Sequence, residues 1–126
     1  MPAATGKIAI DGDGSDPAWG AAFFTDDLRR AFVVPEKRVP MSAELTTTFG
    51  LTFDKDNIYV LATVKDRYVV EMRIPAAKVC PIVDGDVWRI QCTRNRLVKD
   101  ALTPNGNGRW CFEGEAYLRS VRVEKR

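Results

Sequence analysis

The chain has 126 residues, with 19 basic and 17 acidic side chains, three cysteines and no histidine. Its length fits one domain with one hydrophobic core. A net charge of +2 gives no reason to expect nucleic acid, whose binding proteins carry a strongly basic face. The lack of histidine excludes Ser/His/Asp and Cys/His catalysis. No apolar run approaches the ~20 residues that span a bilayer, so no membrane partner is expected.

Two features bear on the compartment. The segment 1–6 lacks the basic and apolar regions of a signal peptide, which indicates either an intracellular protein or a mature piece of a longer one. The cysteines, Cys80, Cys92 and Cys111, are odd in number and fit no zinc signature. Three reduced thiols are the favoured interpretation, and one disulfide with one free thiol is the alternative.

The N-terminal quarter predicts a short strand over residues 7–10 and then an Asp-Gly turn that ends at Asp16. Asp16 is a good N-cap residue, and Pro17 suits the first helical position. A short helix should therefore follow, with Trp19 and Phe23 four residues apart on one face.

Within residues 25–44, Pro35 and Pro40 bracket a charged stretch, which favours an extended loop or an edge strand. Residues 45–53 then alternate between two faces, as in a half-buried strand. The set on one face is Leu45, Thr47, Phe49, Leu51 and Phe53.

Residues 54–57 form a turn sequence, and residues 58–64 are apolar on both faces. The pattern predicts a β-hairpin whose second strand lies centrally, covered on each side. Residues 68–74 alternate again, and Pro75 should end that strand. The expected inward set is Tyr68, Val70, Met72 and Ile74, with Glu71 and Arg73 outward.

After a turn at residues 83–86, the segment 87–93 predicts a strand with Trp88, Ile90 and Cys92 on the core face. Residues 104–108 form a flexible Asn-Gly loop, and a last strand is expected from about 116 to 123. Short strands at this spacing predict an all-β antiparallel sandwich with one or two short helical turns.

Four motifs occur in order: Ile10-Asp-Gly-(x)4-Pro17-Ala-Trp19, Phe53-Asp-(x)2-Asn57-Ile-Tyr-Val60, Val70-Glu71-(x)2-Ile74-Pro75, and Gly85-Asp-(x)-Trp88-(x)5-Arg94. The ordered set resembles the family 9 carbohydrate-binding module and the wider DOMON-like group. The resemblance implies one jelly-roll or immunoglobulin-like β-sandwich over residues 1–126. It also implies sugar binding without hydrolysis, a place beside a glycoside hydrolase, and a secreted or extracytoplasmic parent protein.

The chain departs from this family in its middle. Asp66 is followed at once by the strand at residues 68–74, whereas the family has several strands in between. Removing strands creates new sheet edges and uncovers apolar faces. We therefore expect a homo-oligomer, most simply a twofold dimer formed by edge pairing or strand exchange near residues 64–70. If the chain is a monomer, residues 25–44 must supply the cover.

A sugar site needs a flat aromatic ring and polar groups for the hydroxyls. Trp110 follows the Asn-Gly loop and is the candidate platform, although a half-buried structural role is the simpler interpretation; Trp19 and Trp88 are expected in the core. The candidate polar partners are Arg109, Asn105 and Asn107.

Other chemistry is disfavoured. Asp11, Asp13 and Asp16 could gather around a structural calcium ion, as in some family members, but the EF-hand pattern fails and a turn with a helix cap explains them. The paired carboxylates Asp84/Asp86 and Glu113/Glu115 do not face each other across a sugar as a glycosidase requires. Haem ligation by Met41 or Met72 was weighed because some DOMON-like domains carry haem, and a core role suits Met72 better.

The sequence thus predicts a non-catalytic carbohydrate-binding domain, accessory to a glycoside hydrolase, with no cofactor beyond a possible calcium ion. The alternative is a structural module that self-associates or binds a protein partner through a sheet edge.

Overall fold

A computed structural model describes the backbone of residues 1–25, 31–32, 47–64, 68–99 and 110–125, with side chains for all of these except 31–32, 93–99 and 110–119. The described chain forms two antiparallel sheets, which confirms the predicted all-β class. The strands are β1 (Phe23–Phe24), β2 (Ala31–Phe32), β3 (Thr47–Phe53), β4 (Asn57–Val64), β5 (Tyr68–Pro75), β6 (Val87–Lys99) and β7 (Trp110–Arg122).

The first sheet has the order β1-β3-β4-β5. Its centre is the predicted hairpin, in which β3 and β4 pair from Thr47↔Val64 to Phe53↔Ile58. The register is fixed by the turn, where Asp54 Oδ1 accepts hydrogen bonds from the backbone N–H groups of Asp56 and Asn57 at 2.8 and 2.7 Å. An aspartate that satisfies the turn's own donors holds the two strands at one offset.

Both faces of the first sheet are covered over β4, as the apolar pattern of residues 58–64 predicted. The inner face, toward the second sheet, carries Leu51 and Phe53 with Val60 packed against them. The outer face carries Tyr59 and Leu61, which pack under a covering segment formed by residues 8–19. The covering segment contributes Ile8, Ala18 and Trp19 to that cluster.

The second sheet has the order β2-β7-β6 and is dominated by one long hairpin. The pairing of β6 with β7 runs without a break from Val87↔Arg122 to Lys99↔Trp110. Trp88, Ile90 and Cys92 pack against the inner-face cluster, which confirms their predicted core role. The turn before β6 is also confirmed, with Gly85 at φ 83°.

The N-terminal residues join the two sheets along one edge. Ala3 forms a bridge with Phe53, and Pro2 forms one with Glu124. The amino group of Met1 donates to the carbonyl of Arg122, and Met1 O accepts from Glu124 N at 3.0 Å. Burial lowers the pKa of the Met1 amino group, although the nearby Glu124 charge opposes this.

Three sequence expectations are corrected. Residues 7–10 form no strand, because Ala9 N–H donates to the Asp16 carboxylate at 2.7 Å instead of to a neighbouring strand. The helix is a 3-10 turn over Pro17–Ala21, since Phe23 already pairs with Leu51 in β1 and cannot share a helical face with Trp19.

The third correction concerns the burial of β5, which differs from that expected although the apolar row lies on the inner face. Glu71 is 9 % exposed, whereas Tyr68, Val70 and Met72 are 51, 42 and 41 % exposed. The covering segment shields the outer face, where Glu71 lies, and the opposite side of β5 lies open. The predictions for most of residues 25–44, for 45–46 and for the 104–108 loop fall outside the described residues.

Candidate functional site

The buried carboxylate of Glu71 holds the covering segment onto β5. Its Oε2 atom accepts backbone N–H bonds from Asp11 at 3.1 Å and Gly12 at 2.8 Å. Its Oε1 atom accepts from Trp19 Nε1 at 3.1 Å. A buried carboxylate is tolerated only where donors compensate its lost hydration, and these three donors do so.

This arrangement explains why the family motifs belong together. The Asp-Gly turn supplies two donors, the tryptophan supplies a third, and the glutamate sixty residues later accepts them all. Gly12 adopts φ 87°, a left-handed conformation that glycine adopts without strain and that turns its N–H toward the carboxylate. Strand alternation alone predicted an exposed Glu71 and missed its role. The occurrence of these motifs in one order along the sequence was the signal that could have identified it.

A second polar anchor lies at the β3–β4 turn. The hydroxyl of buried Tyr59 donates to Asp54 Oδ2 at 2.6 Å. Burial tends to raise the pKa of Asp54, but the hydrogen bonds from Tyr59, Asp56 and Asn57 outweigh it and the pKa is lowered. The pKa of Tyr59 is raised, first by burial and then by its bond to the Asp54 carboxylate.

The candidate calcium ligands Asp11, Asp13 and Asp16 serve the covering segment itself. Asp11 Oδ1 accepts from Asp13 N at 3.1 Å, and Asp13 Oδ1 accepts from Ser15 N at 2.6 Å. The hydroxyl and N–H of Ser15 hold the pKa of Asp13 below its usual range. Asp16 takes the predicted N-cap position without capping the helix through its side chain. In the described part of the chain, no group of three potential ligands could hold a metal ion.

Of the candidate sugar-binding residues, the structure describes only the backbone of Trp110. Asn105, Asn107 and Arg109 are outside the described residues. Trp110 is the first residue of β7, and its backbone pairs with Lys99 at the end of the register. Trp19 is buried, at 3 % exposure, as expected for a structural tryptophan.

Two thiols bear on the cysteine prediction. Cys80 and Cys92 are free and half-buried. Burial raises the pKa of the Cys92 thiol, so it is protonated at neutral pH and acts as a packing residue, as the strand pattern predicted.

Comparison with known proteins identifies the family. The carbohydrate family 9 binding domain-like family matches residues 10–72, half of the chain. The matched range contains residues 10–19 of the covering segment, the β3–β4 hairpin and Glu71, which together form both polar anchors. No curated protein and no solved structure matches the chain. No helix among the described residues is long and apolar enough to cross a membrane. The chain belongs to the carbohydrate family 9 binding domain-like family.

Proposed function

We propose that this protein is a non-catalytic domain that binds a sugar or polysaccharide. The observation that carries the proposal is the family match over residues 10–72. Within that range the matching motifs are tied together physically, since the Asp-Gly turn and Trp19 both bond to Glu71. These motif residues are therefore in contact with one another in the folded chain.

We place the sugar contact at the tip of the β6–β7 hairpin, with Trp110 as the platform. The hairpin register supports this choice. Val121 is buried, while its neighbours Ser120 and Arg122 are exposed. Alternation along a continuous strand assigns position 110 to the same face as 120 and 122, away from the inner core.

The chemistry of the tip suits a carbohydrate. An indole ring stacks on the apolar face of a pyranose, and planar amide or guanidinium groups bond the ring hydroxyls. Trp110 supplies the ring, and Asn105, Asn107 and Arg109 supply polar groups within five positions of it. Binding of this kind needs no acid–base pair, in keeping with a domain that holds a polysaccharide while another domain cleaves it.

The proposal extends to the setting of the domain. An accessory role beside a glycoside hydrolase, in a parent protein that acts outside the cytoplasm, follows from the family's usual use. The ligand of this domain would be the polymer that the linked enzyme degrades.

Affinity electrophoresis or a glycan array with the Trp110→Ala variant tests the proposed site. If Trp110 is the platform, we expect its loss to abolish sugar binding and to leave the melting temperature unchanged. Tyr68→Ala is the matched control, since Tyr68 is an exposed aromatic on another strand, and it should retain binding. A stability loss of ~3–5 kcal/mol, as for a buried aromatic, or retained binding by Trp110→Ala, would contradict the proposal.

A further inference from the structure

The outer edge of the first sheet is formed by β5, and within the described residues β5 pairs with β4 alone. Two hydrogen bonds fix which backbone groups face that open edge. Ala76 N donates to Asp56 O at 2.8 Å, and Asp54 N donates to Asn57 O at 2.9 Å. Because bonding direction alternates along antiparallel strands, the even-numbered residues of β5 bond β4. The N–H and C=O groups of Val69, Glu71 and Arg73 therefore point outward.

The side chains of β5 make this edge unusual. Its inner face presents the exposed apolar row Tyr68, Val70 and Met72. An edge strand normally avoids such a row, because unpaired backbone groups beside apolar side chains invite a second strand. On the outer face, the Glu71 carboxylate, which is buried under the covering segment, lies two positions from the exposed Arg73 guanidinium.

We propose that two copies of this chain pair antiparallel through β5, with the twofold axis beside Met72. The charges select this register. An axis beside Glu71 would set two carboxylates opposite each other, which is destabilising. An axis beside Met72 sets Glu71 opposite the partner's Arg73, and this favourable pair occurs twice.

The same register satisfies the backbone and the apolar row. The backbone N–H and C=O groups of Glu71 and of the partner's Arg73 all point toward the open edge. The two residues therefore form a hydrogen-bonded pair on each side of the axis. Met72 then faces the partner's Met72, and Val70 faces the partner's Ile74, which gives one apolar strip across both copies. Pro75 has no N–H, so regular pairing ends there. The dimer proposal does not depend on the proposed sugar site.

Oligomeric state tests the proposal directly. Light scattering with size-exclusion chromatography should show a dimer at micromolar concentrations. Met72→Lys places two ammonium groups at the axis and should give a monomer with native far-ultraviolet dichroism. Val79→Lys, at a more exposed apolar residue outside β5, should remain dimeric. A monomeric wild type at high micromolar concentration, or a Met72→Lys dimer, overturns the proposal.

Cross-linking tests the register. At the axis, Met72 and the partner's Met72 form a non-hydrogen-bonded pair with Cα atoms ~4.5 Å apart, within disulfide range. Met72→Cys should therefore form a covalent dimer under mild oxidation, measured against the wild-type background on a non-reducing gel. Val70→Cys lies four positions from its symmetry copy, ~14 Å along the strand, and should not. Equal cross-linking of both variants, or of Val70→Cys alone, overturns this register.

Discussion

The two faces of the first sheet are stabilised in different ways. The inner face is an apolar interface in which Leu51 and Phe53 pack against Val121 and Val123. The outer face combines an apolar cluster around Tyr59 and Leu61 with polar anchors. Those anchors are the Glu71 carboxylate with its donors and the Asp54–Tyr59 bond.

This difference separates stability from specificity. Apolar contacts are non-directional and tolerate exchanges of similar volume. A buried carboxylate with three donors accepts one position of the covering segment and penalises every other, because each displaced donor loses its partner. We infer that the inner face supplies most of the free energy of folding, whereas the outer face fixes where residues 8–19 lie.

The largest effect should come from the inner face. Phe53, at 2 % exposure, is the largest fully buried side chain, and Phe53→Ala should lower the free energy of unfolding by ~3–5 kcal/mol in urea titration. Phe53→Leu should recover most of this loss, because the interface depends on volume. Equal losses for both variants would show that the inner face also demands one specific side chain.

A smaller loss of stability is expected at Glu71, where, unlike at Phe53, a substitution that keeps the volume should not be tolerated. Glu71→Gln keeps the volume but exchanges an acceptor oxygen for a donor amide, so it should cost ~2–3 kcal/mol. Glu124→Gln, the same substitution at an exposed residue, is the control and should cost almost nothing. The coupling of Glu71→Gln with Trp19→Phe in a double-mutant cycle should be near 1 kcal/mol; additivity would contradict the bonded geometry.

The smallest loss of stability should come from substitution of Asp54, and this loss depends on pH. Its folded-state pKa is lowered, so its stabilising contribution is present above the unfolded-state pKa of about 3.9 and is lost as the pH falls through the folded-state value. Asp54→Asn should cost ~1–2 kcal/mol at pH 7.

The variant should also lose less stability than the wild type on acidification below about pH 4. Thermal melts across this range measure the difference. Asp56→Asn, in the same turn, is the control and should follow the wild-type profile of stability against pH. Parallel profiles for Asp54→Asn and the wild type would contradict the stabilising role of the Asp54–Tyr59 bond.

Alternation along single strands predicted the inner face well. It placed Leu51 and Phe53 on one side of β3, and it identified β4 as a strand covered on both sides. These features depend on local periodicity, which a single segment contains in full. The buried Trp19 and the core-facing Trp88 were also predicted, and the position of Trp110 remains a prediction.

The outer face could not be predicted in the same way. For β5, periodicity separates Glu71 from Met72 but cannot say which side another segment will cover. The covering segment lies 52 to 60 positions earlier in the chain. Residue types do not reveal which of its backbone N–H groups will donate. The apolar row of β5 was therefore expected to be buried and Glu71 to be exposed, and the strand predicted at residues 7–10 failed for the same reason.

The edge formed by residues 1–4 has a consequence for biosynthesis. Chains leave the ribosome N-terminus first, yet Met1 bonds to Arg122 and Glu124, more than 120 positions later. Residues 1–3 therefore wait for residues 122–124 before this edge can close. Until then β3 and β4 present their inner face without the second sheet. The nascent hairpin is thus the stage at which a chaperone would have apolar surface to bind.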